Sequence, residues 1–218
     1  MSEISASMVK ELREMTGAGM MDCKKALSEA GGSLEAAVEV LRKKGLKDIG
    51  KRAGRTAAEG TIGTYVHANG QIVAVVELNC ETDFVARGED FQECARGIAM
   101  HVAAMKPLYL SPEEVPSAVI EKEKEIFLEQ LTPAQRNNAE KILPGKIAKF
   151  YEENCLLEQP YVRDDSGKVA VKNVVEELSV KCGEKVSVRR FVRFEVGEGI
   201  EKQKADLASD VAALTGEV

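Results

Sequence analysis

The chain has 218 residues, of which 44% are hydrophobic and 30% charged, an ordinary composition for a globular protein with its own core. Its formal net charge of -6 argues against broad, salt-driven binding to nucleic acid. The five cysteines contain no Cys-x-x-Cys pair, which argues against a zinc site or a disulfide framework. Because we find no membrane-length apolar run and no export signal, we expect a cytoplasmic protein with reduced thiols.

The N-terminal part of the chain shows three short amphipathic patterns. The first helix is predicted over residues 4–15 with Ser5 as its N-cap, and the second over residues 20–30. The third begins after Ser33 and ends at Gly45. Helices this short need a shared apolar centre. We predict that it contains Leu12, Ala26, Leu27, Leu34, Val38 and Leu41.

A basic stretch overlaps the end of this bundle. Its cations are Lys43, Lys44, Lys47, Lys51, Arg52 and Arg55. A nucleic-acid contact and a solvated linker are both open interpretations, and the acidic net charge favours the linker.

The hydrophobic period then changes from about 3.6 to 2, which indicates strands. Residues 61–67 and 71–78 flank Asn69 and Gly70, and Asn-Gly supplies the positive backbone angles of a tight hairpin turn. A further strand is predicted over residues 186–196, which are rich in β-branched and aromatic side chains. We expect it to pair with the hairpin in a three-stranded antiparallel sheet. Arg189, Arg190 and Arg193 are expected to lie partly on the open side of this sheet.

Helical patterns separate the hairpin from the last strand. They cover residues 90–105, 112–131, 134–157 with a break at Pro144-Gly145, and 169–181. An amphipathic C-terminal helix is predicted from Leu207, Val211 and Leu214. The fold class is therefore α+β, with helices on one side of the sheet. The predicted parts are a bundle over 1–46, a basic linker over 47–58, an α+β core over 59–198 and a C-terminal helical module over 199–218.

Residue patterns typical of catalysis are missing from the sequence. It contains no Gly-x-Ser-x-Gly, no phosphate-binding loop and no His-Glu-x-x-His, and we expect neither an enzyme of covalent chemistry nor a bound metal or cofactor. His67 beside the turn and His101 on a helix could each act as a base, but a structural or contact role is favoured.

One segment, residues 81–87, stands between the central strand and the next helix. It presents Asp83 beside Phe84 where binding residues often concentrate, and an exposed aromatic could wedge into a partner. In the alternative interpretation, Asp83 caps the helix and Phe84 packs on the core. Spacing alone leaves both open.

Three motifs together resemble one family. They are TGAGMMDCKKAL at residues 16–27, TDFVAR at residues 82–87 and FEVGEGIEK at residues 194–202. All three closely resemble segments of bacterial translation elongation factor Ts, and their positions spread the resemblance over essentially the whole chain. The resemblance implies a guanine-nucleotide exchange factor that binds elongation factor Tu, both GDP-bound and nucleotide-free, and promotes replacement of GDP by GTP.

The resemblance also implies site residues. The N-terminal bundle, similar to a ubiquitin-associated domain, would dock on the partner's nucleotide-binding domain. The implied contacts there are Arg13, Met20, Met21 and Lys24. The segment that would intrude near the partner's magnesium ion and dislodge it consists of Thr82, Asp83, Phe84 and Val85.

The chain departs from longer family members in having one hairpin where they have two successive core halves. Either one core suffices, or two chains pair through this dimerisation-type core as a homodimer. His67 resembles a partner contact in the hairpin of the second half and is carried over as such. A different class of function, a ubiquitin-like or RNA-binding adaptor, would use the bundle and basic linker but would leave Asp83 and Phe84 without a role.

Overall fold

The computed structural model describes residues 4–16 and 18–200. Within them the protein is α+β, as predicted. The helices are α1 (Ala6–Thr16), α2 (Met20–Glu29), α3 (Leu34–Arg52), α4 (Asp83–Ala86), α5 (Glu89–Met105), α6 (Ser117–Gln130), α7 (Pro133–Arg136), α8 (Ala139–Asn154) and α9 (Val171–Cys182). The strands are β1 (Glu59–His67), β2 (Ile72–Cys80) and β3 (Ser187–Glu195). The predicted C-terminal helix lies outside the described residues.

The first three helices form the predicted bundle. The hydroxyls of Ser5 and Ser33 accept hydrogen bonds from the N–H groups of Met8 and Ala36, at 3.2 and 3.3 Å, and so act as N-caps. All six residues predicted for the bundle's core belong to it. Leu12, Ala26, Leu27 and Leu41 are buried, and Leu34 and Val38 pack half-buried against them.

Helix α3 continues past Gly45 to Arg52, so the predicted helix end at Gly45 is wrong. A Cβ atom at Gly45 would lie 2.8 Å from Cγ2 of Val180 in α9. The glycine therefore lets α3 approach α9 closely instead of ending the helix. The first residues of the predicted basic linker are consequently helical.

The hairpin forms as predicted, because its turn has the backbone angles that Asn-Gly favours. Ala68, Asn69 and Gly70 have φ angles of 21°, 55° and 73°. β1 pairs antiparallel with β2, and β3 pairs antiparallel with the other edge of β2, giving the order β1-β2-β3 in the described residues.

One face of the sheet packs on α5 and α9. The strand residues in this core are Ala74, Val76, Leu78, Cys80 and Val188, and the helix residues include Phe91, Ile98, Val102, Val175 and Leu178. β1 comes so close to α5 that a Cβ atom at Gly63 would lie 2.3 Å from the carbonyl oxygen of Ala95. Only glycine fits this crossing.

The other face, here called the open face, is apolar and uncovered in the described residues. Its exposed apolar residues are Ile62, Val66, Val192, Phe194 and Val196. They flank the half-buried Val73 and Val75 of the central strand. Isolated exposed apolar residues are common, but a continuous set of this kind is typical of an interaction surface.

Two of the three arginines expected on the open side are there. A register shift between Glu77 and Leu78 leaves both Arg189 and Arg190 exposed, and both donate to the Glu77 carboxylate, at 2.8 and 2.6 Å. The prediction for Arg193 is wrong, because its side chain is only 7% exposed. It alternates with the exposed Val192 and Phe194 and so faces α5, donating from Nε to the carbonyl oxygen of Ala103 at 3.1 Å.

Helices α6, α7 and α8 form a separate helical hairpin in which α6 packs against α8. The predicted break at Pro144-Gly145 is wrong, because α8 runs through both residues. An internal proline costs about 3 kcal/mol. Leu143, Pro144 and Ile147 of α8 line one groove together with Lys124 of α6. Among the described residues, no helix is long and apolar enough to cross a membrane.

Candidate functional site

The segment 81–87, here called the finger, follows directly from the buried end of β2. Thr82 is the N-cap of the one-turn helix α4, and its Oγ1 accepts a hydrogen bond from the N–H of Val85 at 3.4 Å. Asp83 is the first residue of that turn and not its cap. The alternative prediction, in which Asp83 caps the helix, is therefore wrong.

The side chains of this turn occupy both exposed and buried positions. Phe84 is 84% exposed, whereas Ala86 is buried and Val85 packs half-buried against the core. The alternative in which Phe84 packs on the core is therefore also wrong. Val85 and Ala86 attach the turn to the core, while the side chain of Phe84 projects into solvent.

Asp83 is exposed beside Phe84. Its Oδ2 lies 2.9 Å from an Nη2 of Arg87, one helical turn later, and both side chains are largely exposed. An exposed ion pair of this spacing is worth at most about 1 kcal/mol. The Asp83 carboxylate can therefore exchange this contact for another one at little cost.

The root of the finger is held by charged groups distant in sequence. Glu184, in the turn after α9, accepts hydrogen bonds from the N–H groups of Glu81 and Thr82 at 3.0 Å each and from Thr82 Oγ1 at 2.6 Å. The Glu81 carboxylate accepts from the N–H of Lys185 at 2.6 Å and from Arg55 at 3.3 Å. These contacts, the Lys185 N–H foremost, lower the pKa of Glu81 from its ordinary value.

The bundle residues predicted as contacts are all exposed, namely Arg13, Met20, Met21 and Lys24. Sequence reasoning missed Met15, which has the period of the core stripe but is 61% exposed in the last turn of α1. Its nearness in sequence to Met20 and Met21 was the available signal. Exposed methionines suit a contact surface because their side chains are flexible and polarisable.

The structure does not bring His67 to the finger. His67 pairs with Ile72 beside the turn, while the finger leaves from Cys80 at the far end of β2. At about 3.3 Å per residue these ends are about 26 Å apart. His67 is exposed, and its Nδ1 lies 3.1 Å from the Tyr65 hydroxyl oxygen.

His101 has a structural role. It is fully buried, and its Nδ1 accepts from the N–H of Val162 at 3.1 Å. Nε2 then carries the proton and donates to Oε1 of Gln159 at 2.9 Å. Burial lowers the pKa of His101.

Three of the thiols, those of Cys80, Cys94 and Cys155, are poor nucleophiles. All five cysteines are free thiols, and burial raises the pKa of Cys80 and Cys155 to about 11 and that of Cys94 to about 12. Within the described part of the chain, no group of three or more His, Cys, Asp or Glu side chains could hold a metal ion.

Known proteins match along almost the full length. A family model described as "Elongation factor TS" matches residues 5–198. A protein of Desulforamulus reducens named "Elongation factor Ts" is 56% identical over 215 residues, covering 98% of each chain. A protein of the same name from Thermotoga petrophila is 56% identical over 199 residues, covering 91% of this chain and 99% of its own. Another from Myxococcus xanthus is 55% identical over 219 residues, covering 100% of both. With its three motifs, its bundle and its exposed finger, the chain belongs to the elongation factor Ts family.

Proposed function

We propose that this protein promotes exchange of GDP for GTP on elongation factor Tu by inserting Asp83 and Phe84 beside the partner's magnesium and phosphate site. Membership of the family supports the general role of a nucleotide exchange factor for elongation factor Tu, which makes and breaks no covalent bond. The single observation that carries the mechanism is the exposure of Phe84 on a short, firmly held helical turn.

An exposed phenylalanine provides energy for insertion. Burying a Phe side chain in an apolar pocket is worth roughly 1.5–3 kcal/mol. Phe84 is 84% exposed in the free protein, so nearly all of this gain is available on binding. Because Val85 and Ala86 hold the turn against the core, little of the gain is lost in ordering the backbone.

A carboxylate beside the wedge acts on the same site. GDP in a nucleotide-binding domain is held largely through Mg²⁺ and the backbone donors around its phosphates. Displacement of those groups by Phe84 removes much of that attraction, and the negative charge of Asp83 opposes the diphosphate or competes for the groups around the metal. Thr82 and Val85 serve as the cap and base of the turn.

The bundle contributes a second contact. The exposed set Arg13, Met20, Met21 and Lys24, extended by Met15, docks on the partner's nucleotide-binding domain. The positive charges of Arg13 and Lys24 steer the encounter with the partner electrostatically, and the methionines supply an apolar contact surface. His67, about 26 Å from the finger by strand length, contacts a different part of the partner.

The open face of the sheet supports pairing of two chains. A second copy would cover the apolar residues of both copies at once and would bring two single-hairpin cores together. Val192→Glu should therefore halve the mass measured by light scattering at micromolar protein, whereas Leu108→Glu, at another exposed apolar residue, should leave it unchanged. A monomeric wild-type protein at that concentration would exclude the homodimer.

The exchange proposal is tested with elongation factor Tu loaded with fluorescent GDP. Addition of this protein at micromolar concentration should accelerate release of the nucleotide. Coupling between two ligands of one protein is reciprocal. GDP should therefore weaken the binding of this protein to elongation factor Tu by the same factor by which this protein weakens the binding of GDP, and excess GDP should dissociate the complex. Unchanged release would refute the exchange function.

The adaptor function finds less support. Within the basic stretch, Lys43 pairs with Glu39, Arg52 donates to the carbonyl oxygen of Ser179, and Arg55 contacts Glu81. Arg52 thus joins α3 to α9 and Arg55 contacts the finger, whereas Lys43 pairs within α3, and these contacts give the cations structural roles.

A further inference from the structure

We propose that Glu184 is a positioning residue for exchange, which holds the finger in its binding conformation from a point 102 residues further along the chain than Thr82. This inference rests on the proposed function of the finger. The resemblance to the family assigns a role to residues 82–85 but none to Glu184, which lies after α9.

The turn after α9 is built to aim this carboxylate. Gly183 ends the helix with φ of 77°, a left-handed conformation that glycine adopts readily, and its N–H donates to the carbonyl oxygen of Ser179 at 3.0 Å. The buried Ser179 hydroxyl donates to the carbonyl oxygen of Glu184 at 2.5 Å. These contacts fix the backbone of Glu184, and its side chain extends from this fixed point to the finger.

Every polar group of Thr82 takes part in a hydrogen bond. Its N–H and Oγ1–H donate to Glu184, at 3.0 and 2.6 Å. Its Oγ1 accepts from the Val85 N–H, and its carbonyl oxygen accepts from Cys80 Sγ at 3.1 Å and from the Ala86 N–H at 3.2 Å. Hydrogen bonds to an ionised acceptor are about twice as strong as neutral ones, so the bonds to Glu184 are the strongest of this set.

The same turn is joined to the bundle. Lys185 Nζ donates to the carbonyl oxygens of Ala53 and Arg55 at 2.7 and 2.9 Å, immediately after α3. Arg52 of α3 donates to the carbonyl oxygen of Ser179 at 3.0 Å. One turn of chain thus holds the finger and the end of the bundle's longest helix.

Loss of the Glu184 carboxylate frees the root of the finger without removing any residue that touches the partner. Fixing the backbone of one residue costs about a factor of ten in an equilibrium constant, so Glu184→Ala should lower the rate of fluorescent GDP release about tenfold. Glu184→Gln should recover most of the loss, because the amide keeps an acceptor for both N–H groups and can donate to Thr82 Oγ1.

The control is Asp164→Ala. Asp164 also holds a loop of the core through backbone N–H groups, those of Lys168 and Val169 at 2.9 Å each, but within the described residues it makes no hydrogen bond or ion pair with the finger. This variant should keep the wild-type rate of exchange. Equal losses in Asp164→Ala and Glu184→Ala would overturn the positioning role in favour of general destabilisation.

The decisive comparison combines Glu184→Ala with Phe84→Ala. If Glu184 acts through the finger, its loss costs about tenfold in the wild-type background and almost nothing once Phe84 is absent. An equal loss in both backgrounds, or no loss in either, would overturn the proposal. Amide hydrogen exchange of the free protein should also be faster at Val85 and Ala86 in Glu184→Ala. If the wild-type protein has no exchange activity, the proposed function is refuted. The effect of Glu184 on the finger is still tested in that case, because amide hydrogen exchange is measured on the free protein without a partner.

Discussion

At the scale of single residues, the finger depends on a division of tasks between neighbours. Thr82 caps the turn, Val85 and Ala86 contact the core, and Phe84 remains 84% exposed. A side chain this exposed contributes little to folding. If Phe84 is the wedge, as proposed, function and stability are separable at this position.

Replacement of Phe84 tests this separation. Phe84→Ala should lower the rate constant of GDP release divided by protein concentration by a factor of about 30 or more, the equivalent of a hot-spot loss of about 2 kcal/mol. Its melting temperature should stay within about 1 °C of wild type, since surface changes alter stability by less than about 0.5 kcal/mol. Leu108→Ala, at a residue 67% exposed elsewhere, is the matched control and should change neither. A wild-type rate for Phe84→Ala would contradict the wedge mechanism.

The residues of the finger could be identified from sequence, but their geometry could not. The motif at residues 82–87 carried the resemblance, while spacing left Phe84 equally compatible with core and surface. The orientation depends on Thr82 being the cap, and Asp83 has the same capping tendency. Glu184 was out of reach, because its partner Thr82 lies 102 residues away and no local pattern connects them.

At the scale of elements, two glycines in α3 have different environments. A Cβ atom at Gly45 would lie 2.8 Å from Cγ2 of Val180, whereas at Gly50 it would meet nothing within 4 Å. Alanine favours a helix over glycine by about 0.5–1 kcal/mol at either position. The packing of α3 on α9 therefore decides the sign of each substitution.

This difference gives a matched pair of variants. Gly50→Ala should raise the free energy of unfolding by about 0.5 kcal/mol through helix propensity. Gly45→Ala should lower it by about 1–3 kcal/mol, because the added methyl overpacks against the stiff Val180 side chain. Addition of Val180→Ala to Gly45→Ala should remove the overpacking. Urea unfolding of the four proteins measures these changes, and a stabilising Gly45→Ala would contradict close packing of α3 and α9.

Elements with local causes were predictable, and those with distant causes were not. The hairpin was predicted because Asn69 and Gly70 favour the turn by themselves. Helix α3 continues beyond Gly45 in close packing on α9, which helix propensity does not contain, and α8 runs through Pro144, which propensity disfavours. Arg193 faces the core because the strand alternates, which required the register of β3 to be known.

At the scale of the whole molecule, one carboxylate joins segments distant in sequence, whereas another holds its own loop. Glu195 contacts Lys106, at the end of α5, and Arg193, and Asp164 anchors its own loop. The pKa of Glu195 is lowered to about 2, first by Lys106 and then by Arg193, and that of Asp164 to about 2, first by the N–H of Val169. Both values lie below the ordinary ones of 4.5 and 3.8.

This lowering predicts an acid-sensitive fold. A group with a lower pKa in the folded state stabilises the protein fully above its unfolded pKa and loses that contribution as the pH falls through the folded value. Urea unfolding should therefore show stability falling between about pH 4.5 and about pH 2. Glu195→Gln should make this fall shallower. An identical pH dependence in wild type and Glu195→Gln would contradict the lowered pKa.

On the proposed role of Glu184, its hydrogen bond with Thr82 also determines at which stage of synthesis the finger can bind its partner. The ribosome makes a chain from its N-terminus, so Asp83 and Phe84 emerge long before the turn that holds them. Until that turn and β3 are present, β2 lacks its second neighbour and the finger lacks its anchor. If Glu184 positions the finger as proposed, a nascent or truncated chain should therefore engage elongation factor Tu weakly. On the same proposal, the chain has to be synthesised beyond Glu184 before the finger supports exchange.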